Sequence, residues 1–127
     1  MTFSFDANAE VILINAALFG PTAIIGLVLA LDTGATNSLV RRQSLLDAGY
    51  DLARPQGQAL VAMGSGVETL PLFQVQSVAA LGQFRDNLTL VAHDFPSTPQ
   101  IDGVLGLDFL RRQRLTLDFR AGELELV

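Results

Sequence analysis

The side chains of this chain that can do chemistry are few, and most are carboxylates. Thirteen acidic residues stand against eight basic ones, every basic residue is Arg, and there is one His and no Cys. Without Cys there is no thiolate zinc site, no cysteine nucleophile and no disulfide scaffold. A lone His makes no multi-His metal site. Chemistry therefore falls to carboxylates, hydroxyls or backbone groups. Asp47, Asp51, Asp86, Asp94 and Asp102 lack the spacing of a calcium loop, so no metal and no cofactor is assigned. One carboxylate has a distinctive setting. The apolar run Leu29-Ala30-Leu31 delivers Asp32, Thr33 and Gly34 turn the chain sharply, Ala35 and Thr36 are small, and Leu39-Val40 leads away. Taken alone, the same tripeptide also suits an Asx-type turn at a strand end.

The elements that must position Asp32 read as mostly β. Glu10 to Leu18 and Thr22 to Leu31 are rich in Val, Ile and Leu and flank Phe19-Gly20-Pro21, the pattern of a hairpin whose second strand runs into Asp32. A short strand follows at Ser38-Leu39-Val40. A short helix over Arg41 to Ala48 is expected to turn Leu45 and Leu46 inward and to stop at Gly49. Gln58 to Met63 and Val67 to Val75 flank Gly64-Ser65-Gly66, a glycine-rich hairpin tip. Gln76 to Leu81 and Asn87 to Ala92 are expected to pair around Gly82, ahead of an irregular loop from Asp94 to Asp102 that contains Pro96 and Pro99. Ile101 to Leu107 is a buried apolar run, and Leu107 to Arg112 gives one or two helical turns. The tail alternates as a hairpin; with a two-residue turn at Ala121-Gly122, Arg120 would face Glu123 and Phe119 would face Leu124.

At 127 residues and 50% hydrophobic composition the chain suits one domain, residues 1–127, with a sizeable core. A net charge of -5 without a basic stripe argues against nucleic acid as a partner. Val11 to Leu31 has no charged residue and is long enough to cross a bilayer. Gly20-Pro21 at its middle, and acidic Asp6 and Glu10 before it, instead favour a hairpin and no membrane span. No basic leader precedes it, and with Cys absent a cytoplasmic location is the expectation.

The chain resembles the retroviral-type, or retropepsin-like, aspartic proteases, and specifically their bacterial single-domain relatives. Leu29 to Thr36 looks like the catalytic loop, and Met63-Gly64-Ser65-Gly66 holds the place of the flap. Val104-Leu105-Gly106, with Leu107 to Leu110 after it, is similar to the family's hydrophobic-hydrophobic-Gly element and following helix. The implied fold is a mainly β acid-protease barrel with one or two short helices, one lobe per chain, active as a homodimer. Aspartic proteolysis needs two carboxylates that share a proton, and the chain carries one such loop, so the second Asp32 must come from a second subunit. The implied function is that of an endopeptidase acting on extended peptide. A dimerisation or peptide-binding module that keeps the fold without turnover is the alternative.

The resemblance also implies roles. Asp32 is catalytic, Thr33 hydroxyls lock the two loops across the dimer, and Gly34 lets peptide approach the backbone. Pepsin-like members usually have Ser where Ala35 stands, and its hydroxyl favours the charged carboxylate; Ala35 thus predicts an only mildly acidic optimum. Met63, Gly64, Ser65 and Gly66 would close over substrate, with Met63 an adaptable contact in the absence of a flap Tyr. Val104, Leu105 and Gly106 would support the catalytic loop from beneath. Asp108 reads as a helix cap or dipole partner. Viral enzymes often carry an ion pair at the positions of Thr36 and Leu107, which is missing here. His93 reads as structural or surface-exposed, and Arg111, Arg112 and Arg114 as a solvated face.

Overall fold

A computed structural model describes residues 1–95 and 100–127. Pro96 and Pro99, expected in an irregular loop, lie outside the described residues. Apolar, β-branched stretches form strands at Thr2–Ser4 (β1), Leu13–Phe19 (β2), Ile24–Leu31 (β3) and Leu39–Val40 (β4). The helix Arg42–Ala48 (α1) precedes Gly57–Met63 (β5), Gly66–Gln74 (β6), Ser77–Ala80 (β7), Gln83–Asp86 (β8) and Thr89–Ala92 (β9). Gly103–Leu105 (β10), the short helix Leu107–Leu110 (α2), Leu115–Asp118 (β11) and Glu123–Leu126 (β12) complete the chain.

Nine strands form one sheet in the order β5-β6-β9-β4-β10-β3-β2-β7-β8, and β1-β12-β11 form a second. The larger sheet curls into a half-barrel. The apolar run from Val11 to Leu31 is the β2–β3 hairpin, with Leu13 opposite Ala30 and Phe19 opposite Ile24. Among the described residues no helix is long and apolar enough to cross a membrane. The main core joins both sheets and both helices: Leu18, Leu29, Leu45, Leu105, Phe109 and Leu124 are all fully buried. Each such side chain contributes on the order of 1.5–3 kcal/mol by leaving water. A second apolar cluster of Leu39, Leu70 and Val91 lies under β5, with Val61, Met63, Phe95 and Val104 packed on it.

Four local expectations change. Leu81 and Gly82 both adopt positive φ, 54° and 77°, and make a tight turn from β7 into β8, so β7 pairs with Gln83–Asp86 rather than with Asn87 to Ala92. A second positive φ, 56° at Asn87, redirects the chain, and β9 pairs with β6 and β4 instead. In the tail, Leu117 faces Leu124 and Asp118 faces Glu123, two residues out from the expected register. The cause is a longer turn: Asp118 Oδ1 accepts from the N–H groups of Arg120 and Ala121, both at 2.9 Å, and the Gly122 N–H donates to the Asp118 carbonyl. In α1 the buried stripe is Ser44, Leu45 and Ala48, which leaves Leu46 exposed at 48%. At about 100° per residue, a seven-residue helix laid on a sheet cannot turn both Leu45 and Leu46 fully inward. Finally, β1 carries no strong sequence signal, yet pairs with β12 from Thr2–Glu125 to Ser4–Glu123. The tail is thus part of this chain's own core, with Leu124 and Leu126 buried.

Candidate active site

Asp32 follows β3 directly, and its backbone is held on two sides. The Leu31 N–H donates to the Ile12 carbonyl at 2.8 Å, and the Asp32 N–H donates to the Leu105 carbonyl at 3.0 Å. The parallel pairing of β10 with β3, Val104 to Ala30 and Leu105 to Leu31, makes the second contact possible. Beyond Asp32 the chain turns back on itself. The Gly34 N–H donates to Asp32 Oδ1 at 2.8 Å, and the Ala35 N–H to the Asp32 carbonyl at 3.2 Å. One carboxylate oxygen is therefore fixed by its own loop while Asp32, Thr33 and Gly34 remain exposed.

The loop is clamped from the other side by the start of α2. The Leu107 N–H donates to the Ala35 carbonyl at 2.8 Å, and a Cβ on Gly106 would lie 2.6 Å from that same oxygen. Only a residue without a side chain permits so close an approach. Gly103 is pressed equally hard against the Leu39 carbonyl. Asp108 is not the cap of α2, which is Gly106; it stands in the first turn and reaches across to Ser38 at the entry of β4. Its Oδ2 accepts the Ser38 N–H at 2.8 Å, its Oδ1 accepts the Ser38 hydroxyl at 2.6 Å, and Ser38 Oγ accepts the Gly106 N–H at 2.9 Å. Oδ1 also accepts the N–H of Phe109 at 2.8 Å. These bonds join the exit of the Asp32 loop to the β10–α2 junction through one carboxylate.

A cleft of about 410 Å³ opens beside the loop, lined by Asp32, Gly34, Ala35, Thr36, Asn37 and Leu39 on one wall. Leu60, Val61, Ala62 and Met63 of the β5 hairpin cover it, and His93, Phe95 and Val104 close it. Of the residues placed in the flap by sequence, Met63 lines the cleft. Gly64, Ser65 and Gly66 sit at the exposed tip, beyond the lining. Leu105 is buried and its carbonyl holds the Asp32 N–H, Gly106 lies against the Ala35 carbonyl, and Val104 lines the cleft itself. Sequence reasoning missed His93, Leu39, Val61 and Phe95. Their convergence depends on the parallel pairing of β4 with β9, Val40 opposite Ala92, which no local pattern encodes. Among the described residues that line the cleft, Asp32 is the one carboxylate. No group of His, Asp and Glu among the described residues could hold a metal ion.

A family model described as aspartyl protease matches residues 25–109, more than half of the chain, and includes Asp32, the β5–β6 hairpin and the Gly106 junction. No curated protein sequence matches the chain significantly. Among solved structures, the chain is similar to a crystal structure of a retropepsin-like aspartic protease from Rickettsia conorii. The TM-score is 0.68 at 19% identity, over 99% of this chain and 88% of that one. At that identity the likeness is one of fold: a mainly β, single-lobed, retropepsin-like half-barrel.

Proposed function

The chain belongs to the aspartyl protease family, and from that premise we propose that it is an aspartic endopeptidase whose working form is a homodimer. The observation that carries the proposal is the placing of Asp32. It is exposed on a loop held rigidly from two sides, at a cleft whose described lining holds no other carboxylate. Aspartic proteolysis needs a second carboxylate within proton-sharing distance, and a two-fold axis beside this loop would supply the Asp32 of another subunit.

In that arrangement the two carboxylates share one proton, because like charges so close do not both ionise readily. The ionised one takes a proton from a bound water as the water attacks the peptide carbonyl. The protonated one donates to the carbonyl oxygen, and collapse of the tetrahedral diol moves a proton to the leaving nitrogen. No acyl-enzyme forms. Thr33 joins the two loops, Gly34 and Ala35 border the scissile bond, and the β5–β6 hairpin, from Met63 through Gly64 and Ser65 to Gly66, closes over an extended peptide. Neither nucleic acid nor membrane enters this reading of residues 1–127.

The test is digestion of a diverse peptide mixture from about pH 4 to 7 by wild type and by Asp32→Asn, read by mass spectrometry. Internal cleavage that disappears in Asp32→Asn is the expected result, and cleavage that survives the substitution would sink the assignment of Asp32. Absence of cleavage by folded, dimeric wild type would favour a peptide-binding module instead.

A further inference from the structure

The far end of the cleft holds the chain's single imidazole, which the catalytic scheme does not use. His93 follows β9, and its N–H donates to the Val40 carbonyl at 2.9 Å, so its backbone is an extension of the sheet rather than a free loop. The ring stands edge-on to Phe95, with centroids 5.3 Å apart and an interplanar angle of 87°. Leu39, Val61, Met63 and Val104 supply the apolar surface of the same cavity. Among the described residues the His93 ring nitrogens have no hydrogen-bond partner. Asp32 lies after β3, three strands from β9 in the sheet order, or roughly 14 Å at about 4.8 Å per strand. The registers also set His93 level with Val28, four residues before Asp32, which adds roughly 13 Å along the strands. The separation is thus about 19 Å, and at about 3.3 Å per residue of extended peptide His93 sits about five or six residues from the scissile bond.

We propose that His93 makes this end of the cleft a subsite for an acidic substrate side chain, a Glu or Asp of an extended peptide. The inference rests on the peptidase reading and names part of its substrate class. Of the charged neighbours the carboxylates are already bonded, whereas the exposed Arg42 forms no ion pair among the described residues and lies outside the cleft lining. Asp94, next in the chain, accepts the Arg42 N–H at 3.3 Å, and Asp102 pairs with Arg41 at 3.7 Å and accepts the Val28 N–H. The covering strand β5 carries no charge, and Asp32 occupies the other end. In a chain of net charge -5, a protonated His93, the one residue of the described cleft lining that can carry positive charge, would offset the repulsion of an acidic peptide. A protonated imidazole offers two N–H donors against a partly apolar wall. A substrate carboxylate ionises at lower pH and meets it as an ion pair; a Gln side chain of the same shape does not.

The test starts from a peptide cleaved in the mixture and resynthesised with Glu or Gln at each position four to seven residues from the cleaved bond, on both sides. Comparing kcat/KM for each pair cancels the pH dependence of the chemical step. At one position the Glu/Gln ratio for wild type should be about fivefold or more at pH 5.5 and approach one at pH 7.5. In His93→Gln, and in His93→Phe, which keeps a ring against Phe95, the ratio should be near one at both pH values. A ratio indifferent to pH, or retained in both variants, overturns the subsite and leaves the peptidase intact. The same peptide pairs are also titrated by fluorescence anisotropy against Asp32→Asn. A Glu preference in binding that His93→Gln abolishes, in a protein that cleaves nothing, would keep the subsite and remove the catalytic reading. Failure to bind any peptide would remove both.

Discussion

At the scale of single residues, two side chains in and beside the Asp32 loop carry predictions. On the peptidase reading a hydroxyl at position 35 would border the Asp32 carboxylate, and a hydroxyl donor favours the charged form of a carboxylate. In Ala35→Ser the acid limb of the kcat/KM profile is therefore expected to move to lower pH. An acid limb that stays in place or moves upward would refute that account of the loop. Asp108 is the second case. Its carboxylate accepts from the Ser38 N–H and hydroxyl and from the Phe109 N–H, and Ser38 in turn accepts from Gly106. Asp108→Ala strands donors that water reaches poorly, at a cost on the order of 1–3 kcal/mol in urea denaturation. Because the bonds end on the loop that carries Asp32, kcat should fall further than stability alone explains. Asp108→Asn keeps one acceptor oxygen and should lie between wild type and Ala in both measurements; an Asn variant as damaged as Ala would mean that charge rather than geometry matters. The bonding of Asp108 was only half legible in sequence. Its place at a helix start suggested a cap, but Ser38 is 70 residues away and becomes its partner only once β4 and β10 pair.

At the scale of elements, the loops that join strands decide how much could be read in advance. The β2–β3 hairpin, the strand into Asp32 and the β5–β6 hairpin were legible because each joins a long apolar run to Gly or Pro punctuation. The β7–β8 turn was not, because Leu81 takes a positive φ that Leu rarely adopts, and the tail register was not, because Asp118 recruits two further N–H groups into its turn. The insertion of β10 between β3 and β4 is also nonlocal, and it determines which side chains share the cleft. Tyr50 shows how such connections are fastened. Its hydroxyl donates to the Phe19 carbonyl at 2.6 Å and accepts from the Gln76 N–H at 2.8 Å, tying the end of β2 to the entry of β7. Burial raises the Tyr50 pKa above its ordinary 10.0, and the bond from Gln76 opposes this more weakly. A neutral group with a raised folded-state pKa stabilises fully below the unfolded value and loses that contribution as pH rises through the folded one. With no Lys, no Cys and no other Tyr, the chain has no other side chain that titrates in that range. Wild type should therefore lose more stability than Tyr50→Phe between pH 8 and pH 11 in urea denaturation. At pH 8 the variant should be weaker by about 1–3 kcal/mol, since two backbone groups lose their partner. Equal losses across that interval would place the alkaline sensitivity elsewhere.

At the scale of the whole molecule, the proposed dyad requires that a chain with one such loop obtain a second carboxylate. The tail is spent on this chain's own fold: β12 lies between β1 and β11, and Leu124 and Leu126 fill the core. Among the described residues no strand pairs with the outer edges of β1 and β11, and Asp32, Thr33 and Gly34 are exposed. Two subunits of net charge -5 repel, so association should strengthen with added salt, and specific activity should fall on dilution as dimers dissociate. Dilution alone does not show that each subunit donates a catalytic group, because any obligate dimer loses activity that way. Mixing does. When wild type and Asp32→Asn are combined and allowed to exchange, a mixed dimer holds one Asp32 and cannot share a proton between two carboxylates. Activity per total protein should follow the square of the wild-type fraction, about one quarter at equal amounts. Subunits that each act alone would instead give a linear dependence, about one half. A linear result with exchange confirmed by sedimentation of size-tagged chains would remove the shared dyad even if Asp32 itself proved essential, and would require another proton donor within the cleft.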